Sequence, residues 1–341
     1  MSAEVVPARR EPSINDVASE AGVSAQTVSR VANGKDVVRP ETRDRVVAAM
    51  QKLGYRPNRA ARSLKYGRYR NIGVIMFSLS SFGNMHTLEA IANEATAADY
   101  TLTLIPLQAA TRASVSGAFA RLSEQAVDGI VILIEAQQLD ESDLEMPIGV
   151  PVVVVDSNPL NNLPFVDTDQ AQGARLATRH LLELGHATVS HVAGPARSYS
   201  ASRRREAWER TLVEHGAAVP PYIQGDWTAE AGYEAGLVLA ADRSVTAVFT
   251  ANDQMALGVM RALHEAGRRI PGDVSVVGFD DMPESANFWP PLTTVRQHFD
   301  RVGVAAIRAI IAEIEGEPFE KRDLVPTELI VRASTAAPSA R

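Results

Sequence analysis

Cysteine is missing from all 341 residues, which removes disulfides, thiolate nucleophiles and cysteine-ligated zinc from the possible chemistry. No stretch approaches the ~20 apolar residues of a membrane span. The opening MSAEVVPARREPS lacks the apolar run of a signal peptide. A cytoplasmic chain with no membrane partner is expected. Phosphate loops of the GxGxxG or GxxxxGKS kind are absent as well. The seven histidines are scattered. The closest pair, His186 and His191 in LGHATVSH, has neither helical nor strand spacing to bring both rings to one face. No nucleophile–base constellation is visible, so no enzyme, no cofactor and no metal site is expected.

Acidic charge is scarce in one region only. Residues 1–70 hold 14 Lys+Arg against 7 Asp+Glu; subtracting these from the chain totals of 34 and 41 leaves 20 basic and 34 acidic residues beyond. A net charge of −7 therefore hides a basic head on an acidic body, the distribution a charge-driven contact by the head alone requires. The length suggests two or three domains, and 45% hydrophobic with 22% charged residues suits a globular chain.

The head reads as three short helices. Ser13 is placed to cap the first, with Asp16 in the capping-box position and Ile14, Val17, Ala18 and Ala21 forming its apolar stripe. Gly22 ends it and permits a sharp turn. Ser24 caps the second, which turns Val28 and Val31 inward. The third opens at Pro40, is expected to bury Val46, Val47, Met50 and Leu53, and closes at Gly54. A glycine-containing turn between the first two makes a helix-turn-helix, whose second helix enters the major groove of DNA. That helix, in VSAQTVSR, carries no carboxylate that phosphates would repel. Gln26 has an amide matched to adenine and Arg30 a fork matched to guanine, while Ser24, Thr27 and Ser29 suit phosphates or base edges. A plain three-helix bundle has the same spacing. The next segment favours DNA: Lys52 to Arg70 holds seven cations and no acid. Within it PNRAARSLK puts Ala61 and Leu64 on one side and Arg59 and Arg62 on another, an arrangement suited to a minor-groove wedge held by phosphate contacts. So short a helix is expected to order only on DNA.

From Arg70 the texture changes. IGVIMF, YTLTLIPL, DGIVILI and PVVVVD read as buried strands, with helices near Leu88–Ala98 and Val115–Gln125. ATVSHVAG, VTAVFTAND and VSVVGFDD form a second set, separated by helices near Gln170–Leu184, Arg203–His215, Ala229–Ala240 and Met255–Ala266. Alternating strands and helices imply parallel sheets covered on both faces, here as two Rossmann-like lobes with a ligand cleft at their strand ends. Asp156, Asn252-Asp253 and Asp280-Asp281 follow apolar strands and are expected to emerge there, although an aspartate after a strand also serves as a helix cap. Trp227, taken alone, reads as core.

INDVASEAGVSAQTVSRVANGKDVVRPETRDRVVAAMQKLGYRPNRAARSL resembles the head and hinge of the lactose-repressor (LacI/GalR) family, on the patterns VSxxTVSRVxNG and GYxPNxxARxL. The body resembles the same family, itself similar to periplasmic sugar-binding proteins, through GDWT, FTANDQMALG, SVVGFDD and PPLTTVRQ. The resemblance implies Ala25, Gln26 and Arg30 as base readers, and Asn58, Ala61 and Leu64 as hinge contacts, beside the phosphate-holding Arg59 read above. It implies backbone contacts at Ser13, Ser24, Thr27, Ser29, Asn33, Thr42 and Tyr55. Effector contacts fall at Asp156, Ser200, Arg204, Trp227, Asn252, Asp280 and Gln297, with Phe82 where a histidine occurs in the family. Ala25 replaces a tyrosine, so an operator sequence is not carried over.

The implied architecture is an all-α helix-turn-helix head (1–56), a hinge helix and linker (57–69), and an α/β core of two periplasmic-binding-protein-like lobes (70–335). Lobe 1 takes 70–168 and 299–326, lobe 2 takes 169–298 and 327–335, and 336–341 form a tail. The implied function is repression of sugar-utilisation genes, with release from a roughly palindromic operator by a sugar, a galactoside or another disaccharide. No leucine heptads follow the last strand, so a homodimer is expected rather than a coiled-coil tetramer. The alternative is a cytoplasmic sugar-binding or carbohydrate-processing protein with a basic tethering head.

Overall fold

The computed structural model describes residues 12–32, 37–55, 67–77, 81–107, 111–133, 147–155 and 163–339. Two units emerge, one through Tyr69 and one from Arg70.

In the first unit, α1 (Ile14–Ala21), α2 (Ala25–Ala32) and α3 (Pro40–Leu53) enclose Val17, Ala18, Ala21, Val28, Val46 and Ala49. The capping box forms: Ser13 Oγ accepts the Asp16 amide at 3.3 Å, and Asp16 returns by accepting the Ser13 amide at 2.7 Å. Gly22 adopts φ 63°, the left-handed conformation that closes α1 and swings the chain into the turn. Lys52 clips α3 to Glu20 of α1 at 2.7 Å. One expected core residue is displaced: Val47 is exposed, and Ala49 is buried in its stead. The stripe facing α1 and α2 runs Val46, Ala49, Met50 and Leu53, and Val47 lies about 100° further round the helix.

The second unit contains two six-stranded sheets. In lobe 1, β1 (Asn71–Met76), β2 (Thr101–Pro106), β3 (Gly129–Leu133), β4 (Val152–Val155), β5 (Phe165–Thr168) and β11 (Arg322–Val325) lie in the order β2-β1-β3-β4-β5-β11, all parallel. Side chains alternate across the sheet. Ile72, Val74 and Met76 join the core under α4 (Phe82–Ala97) and α10 (Phe299–Glu315), whereas Ile75 joins Phe119 and Leu122 of α5 (Arg112–Glu124). In lobe 2 the order is β7-β6-β8-β9-β10-β12, with only β12 antiparallel. These strands are β6 (Ser190–Ala193), β7 (Ile223–Gln224), β8 (Ala247–Thr250), β9 (Ser275–Asp280), β10 (Thr293–Arg296) and β12 (Glu328–Ile330). One face is covered by α6 (Gln170–Glu183) and α7 (Tyr199–Glu214), the other by α8 (Ala229–Ala241) and α9 (Asp253–Glu265).

The chain passes between lobes three times: from β5 into α6, from β10 into α10, and from β11 into β12. At one crossing the Asp169 amide donates to Val325 O at 2.8 Å, and at another Gln172 Oε1 accepts the Thr327 amide at 2.7 Å. Beyond β12 the backbone remains stapled to lobe 2. Ala336 exchanges hydrogen bonds with Ser275 Oγ at 3.0 Å, and Ser339 Oγ donates to Gly272 O at 2.5 Å.

In each sheet the strand order reverses once, between β1 and β3 and between β6 and β8. A parallel sheet opens a crevice at such a reversal, outside the carboxyl ends of its strands. Both crevices face the same interlobe cleft.

Candidate functional site

Two surfaces carry the expected site residues. On the head, Gln26 and Arg30 stand four apart on the exposed face of α2, which has no carboxylate. Ser24 is exposed and caps α2: its Oγ accepts the Thr27 amide at 3.2 Å and lies 2.9 Å from Thr27 Oγ1. Ala25, Thr27 and Ser29 are half-buried at its edge, as are Ser13 at the start of α1 and Thr42 in the first turn of α3. Tyr55 packs against the head core, and its amide donates to Met50 O at 2.9 Å. Asn33, Asn58, Arg59, Ala61 and Leu64 lie outside the described residues.

The cleft encloses about 570 Å³ of space between atoms, open solvent at its mouth included. Phe82, Ser200, Arg204, Trp227, Asn252, Asp280 and Gln297 all line it. Asp156, the eighth residue expected there, lies outside the described residues.

At its centre Arg204 is buried, though it carries a full charge. Its Nε donates to Gln170 Oε1 at 2.8 Å, its Nη1 donates to Ala251 O at 2.5 Å, and Nη1 lies 3.8 Å from Asp280 Oδ1. Gln297 Nε2 donates to the same Asp280 oxygen at 2.6 Å, and Gln170 Nε2 donates to Gln297 Oε1 at 3.3 Å. Arg204, Gln170, Gln297 and Asp280 thus close a ring of polar contacts drawn from α7, α6 and the ends of β10 and β9. These contacts offset part of the cost of burying the cation. The guanidinium carbon also stands 3.8 Å from the Phe279 ring centre and 5.4 Å from that of Trp227.

Trp227 is half-buried, with its indole over the turn after β6. A Cβ at Gly194 would fall 2.3 Å from the ring, so only glycine admits the indole there. Asn252 holds the loop in place. Its Oδ1 accepts the Met255 amide at 2.9 Å, capping α9, and its Nδ2 donates to Trp227 O at 3.0 Å. Trp227 and Asp280 adopt φ 77° and 121°. Left-handed backbone at non-glycine residues stores about 1–3 kcal/mol each and concentrates where a side chain must be aimed.

The doublets at the strand ends divide their work. Asp280 faces the cleft, whereas Asp281 turns away to Arg296 at 2.7 Å and Arg332 at 2.6 Å. Asp253, left by the sequence as cleft residue or cap, is neither. It is fully buried and accepts hydrogen bonds from the Met282 amide, Ser285 Oγ and Thr294 Oγ1, while burial pushes its carboxyl up to about 6. Both histidines of LGHATVSH lie in the lobe 2 core. His191 stacks between Trp208 and Phe249, and burial depresses its ring to about 3.

Sequence reasoning missed Asp167, Thr168, Gln170, Asn84 and Phe299, all of which line the cleft. Asp167 is the most telling. It is buried and accepts the Thr168 amide at 2.7 Å. Burial pushes its carboxyl up to about 7, against the opposing pull of the Thr168 amide, Gln170 and Arg204. The available signal was a single aspartate interrupting the short apolar stretch of PFVDT.

Residues 13–58 match the bacterial regulatory proteins of the lacI family, and residues 178–335 match the periplasmic binding protein-like domain. The lactose operon repressor of Escherichia coli (strain K12) is 35% identical over 329 residues, covering 95% of this chain and 91% of that protein. The chain belongs to the LacI family. The HTH-type transcriptional repressor PurR of Haemophilus influenzae (strain PittEE) is 33% identical over 330 residues, covering 94% of this chain and 98% of that one. The crystal structure of the Lac repressor dimer bound to operator and the anti-inducer ONPF superposes with a TM-score of 0.87 at 33% identity. That match covers 96% of this chain and 100% of the other. As a LacI-family member the chain is a DNA-binding transcriptional regulator, and the relatives it matches are repressors rather than enzymes. Among the described residues no helix is long and apolar enough to cross a membrane, and no cluster of His, Cys, Asp and Glu is placed to hold a metal.

Proposed function

We propose that this LacI-family regulator is a cytoplasmic, non-enzymatic repressor. On this reading it holds a roughly palindromic operator through its head and is released by a neutral sugar in the interlobe cleft. The ring of Arg204, Gln170, Gln297 and Asp280 beside the Trp227 indole carries the sugar reading. A pyranose presents vicinal hydroxyls, which a guanidinium, amides and a carboxylate grip in pairs, and an apolar C–H face, which an indole covers.

On the head, Gln26 and Arg30 read base edges in the major groove, with Ala25 at the start of the same face. Ser13, Ser24, Thr27, Ser29, Asn33, Thr42 and Tyr55 hold the backbone, and Asn58, Arg59, Ala61 and Leu64 engage the minor groove. Two copies associate through their bodies, because a palindromic site demands a matching two-fold axis. Exposed Leu237, Val238 and Leu257 on the outer faces of α8 and α9 support this, as does Trp289, 92% exposed. Sugar held by both lobes changes their mutual setting and withdraws the two hinges from the duplex. By linkage, operator must weaken sugar binding by the same factor.

The test is footprinting on the gene region upstream of sugar-utilisation genes in the protein's own genome, with and without a saccharide panel. A protected, roughly palindromic site is expected, lost with Arg30→Ala and released by one sugar. Protection that no saccharide alters would overturn the effector assignment. Absence of any protected duplex would favour the tethering alternative.

A further inference from the structure

β9 ends in two consecutive left-handed residues, Asp280 at φ 121° and Asp281 at φ 56°, and neither is glycine. Such backbone persists only where its surroundings hold it. On the cleft side Asp280 meets Gln297 and Arg204. From behind, the turn is held through the side chain of the next residue.

Asp281 has a side chain only 7% exposed, and each of its oxygens receives a guanidinium. Arg296 Nε donates to Oδ2 at 2.7 Å, and Arg332 Nη2 donates to Oδ1 at 2.6 Å. Those lengths lie at the short end for charge-assisted hydrogen bonds. The two arginines are not equivalent. Arg296 is 42% exposed and is shared with Glu328 at 3.6 Å, so solvent screens much of its attraction. Arg332 is less exposed and is anchored independently of the carboxylate. Its Nη1 donates to Leu292 O at 2.8 Å, and its amide donates to Thr293 Oγ1 at 2.9 Å. It belongs to the segment that follows β12. Neither Asp281 nor either arginine lines the cleft.

β9 and β10 are thus tied twice at their carboxyl ends. Asp280 accepts from Gln297 on the cleft side, and Asp281 accepts from Arg296, the residue before Gln297, on the other. Met282 is pinned as well, its amide donating to the buried Asp253 at 2.9 Å. A turn held at three successive residues has little freedom to carry Asp280 away from the polar ring.

We infer that Arg332 and Asp281 are positioning residues for the effector: their ion pair, backed by Arg296, fixes the left-handed turn that aims the Asp280 carboxylate into the cleft. The inference rests on the cleft reading above and adds to the effector machinery a residue of the C-terminal segment that does not line the cleft.

Calorimetric titration of the full-length protein with glucose, galactose, lactose, melibiose and cellobiose identifies the tightest of these probes, against which Arg332→Met is compared with the parent. The variant should bind that saccharide at least ten-fold more weakly, with operator affinity by gel shift within two-fold of the parent. Arg332→Lys, which restores a cation without the fork, should recover most of the loss. Arg269→Ala is the control. It breaks an ion pair of 2.9 Å with Asp273, before the opposite end of β9, and should leave saccharide affinity within two-fold whatever it does to stability. Crystal structures of parent and Arg332→Met should show Asp280 out of contact with Gln297 in the variant alone. Should that variant fail to fold, Asp281→Asn, which removes the charge and keeps the shape, replaces it in both measurements. Parent-like affinity, an unmoved Asp280, or an equal loss in Arg269→Ala overturns the inference and leaves the sugar reading standing. If no saccharide binds the parent, the sugar reading falls, and the position of Asp280 in the two crystal structures decides the inference alone.

Discussion

Three consecutive arginines, Arg203 to Arg205, meet three different fates. Arg203 stays in solvent beside Glu206, Arg205 lies over the Tyr222 ring at 5.0 Å, and Arg204 is buried in the cleft. Only the resemblance to a known family singled out the middle residue. Trp227 was equally ambiguous, since a tryptophan after a strand is more often core. Asp280 was legible physically: neighbours on a strand point to opposite faces, and the Asp280-Asp281 pair divides accordingly. Trp227→Ala should weaken binding of the cognate saccharide at least ten-fold by calorimetry while operator affinity by gel shift stays within two-fold. Loss of both together would mean that the indole supports the fold rather than the ligand.

His191 offers a second test at this scale. Its ring is depressed in the folded protein, so on acidification the unfolded chain takes up a proton that the folded chain refuses. Stability from this residue is complete above the ordinary histidine value of about 6.5 and drains away as pH falls from there toward about 3. Between pH 7 and pH 5 the loss is about 2 kcal/mol. Asp167 and Asp253 act with the opposite sign: their raised carboxyls hold a proton longer in the fold, so their contribution grows as pH falls through about 7 and about 6. The difference between parent and His191→Phe isolates the histidine. The variant, which keeps the stack against Trp208 and Phe249, should lose less stability between pH 7 and pH 5 in denaturant titrations. Equal losses would contradict the assignment.

At the scale of elements, caps and periodicity carried most of the information. Ser13 with Asp16, Gly22, Ser24, Pro40 and Gly54 punctuate the head as their chemistry demands. The long apolar strands of both lobes were equally plain. Less so was α4, which begins at Phe82 rather than near Leu88, because Gly83 and Asn84 in its first turn are poor helix formers. β5, β7, β10, β11 and β12 escaped notice: each has two to four residues, and polar or charged residues break their alternation. Nor does sequence alone reveal how closely α8 and α9 pack. A Cβ at Gly258 would lie 2.0 Å from Ala229 O, and one at Gly232 would lie 2.2 Å from Met255 O. Gly258→Val should therefore force the helices apart and cost on the order of 3 kcal/mol or more, read as a lowered unfolding midpoint. Gly117→Ala, in α5 with nothing within 4 Å of its added Cβ, should be neutral or stabilise by about 0.5–1 kcal/mol. If both changes behave alike, close approach is not what fixes Gly258.

For the whole molecule, the decisive feature is that the chain crosses between lobes three times. Lobe 1 is completed only by α10 and β11, which arrive after most of lobe 2, and lobe 2 only by β12 after them, so neither lobe is a contiguous segment. A ligand held by both lobes would act across those crossings. The head contributes the other half of the account. Its grip should be strongly electrostatic, so a dimer making about 6–10 phosphate contacts loses on the order of 10³–10⁵ in affinity between 50 and 200 mM salt. A slope near zero would mean that the basic segment from Lys52 to Arg70 does not touch DNA.

The most direct measurement is fluorescence anisotropy of a labelled duplex from the protein's own upstream region, titrated at fixed salt with and without a saturating saccharide that binds the cleft. The account predicts tight, salt-sensitive binding that weakens at least ten-fold when the cleft is filled, with the saccharide's own affinity falling by the same factor on operator. Tight duplex binding that is indifferent to a bound saccharide would contradict it.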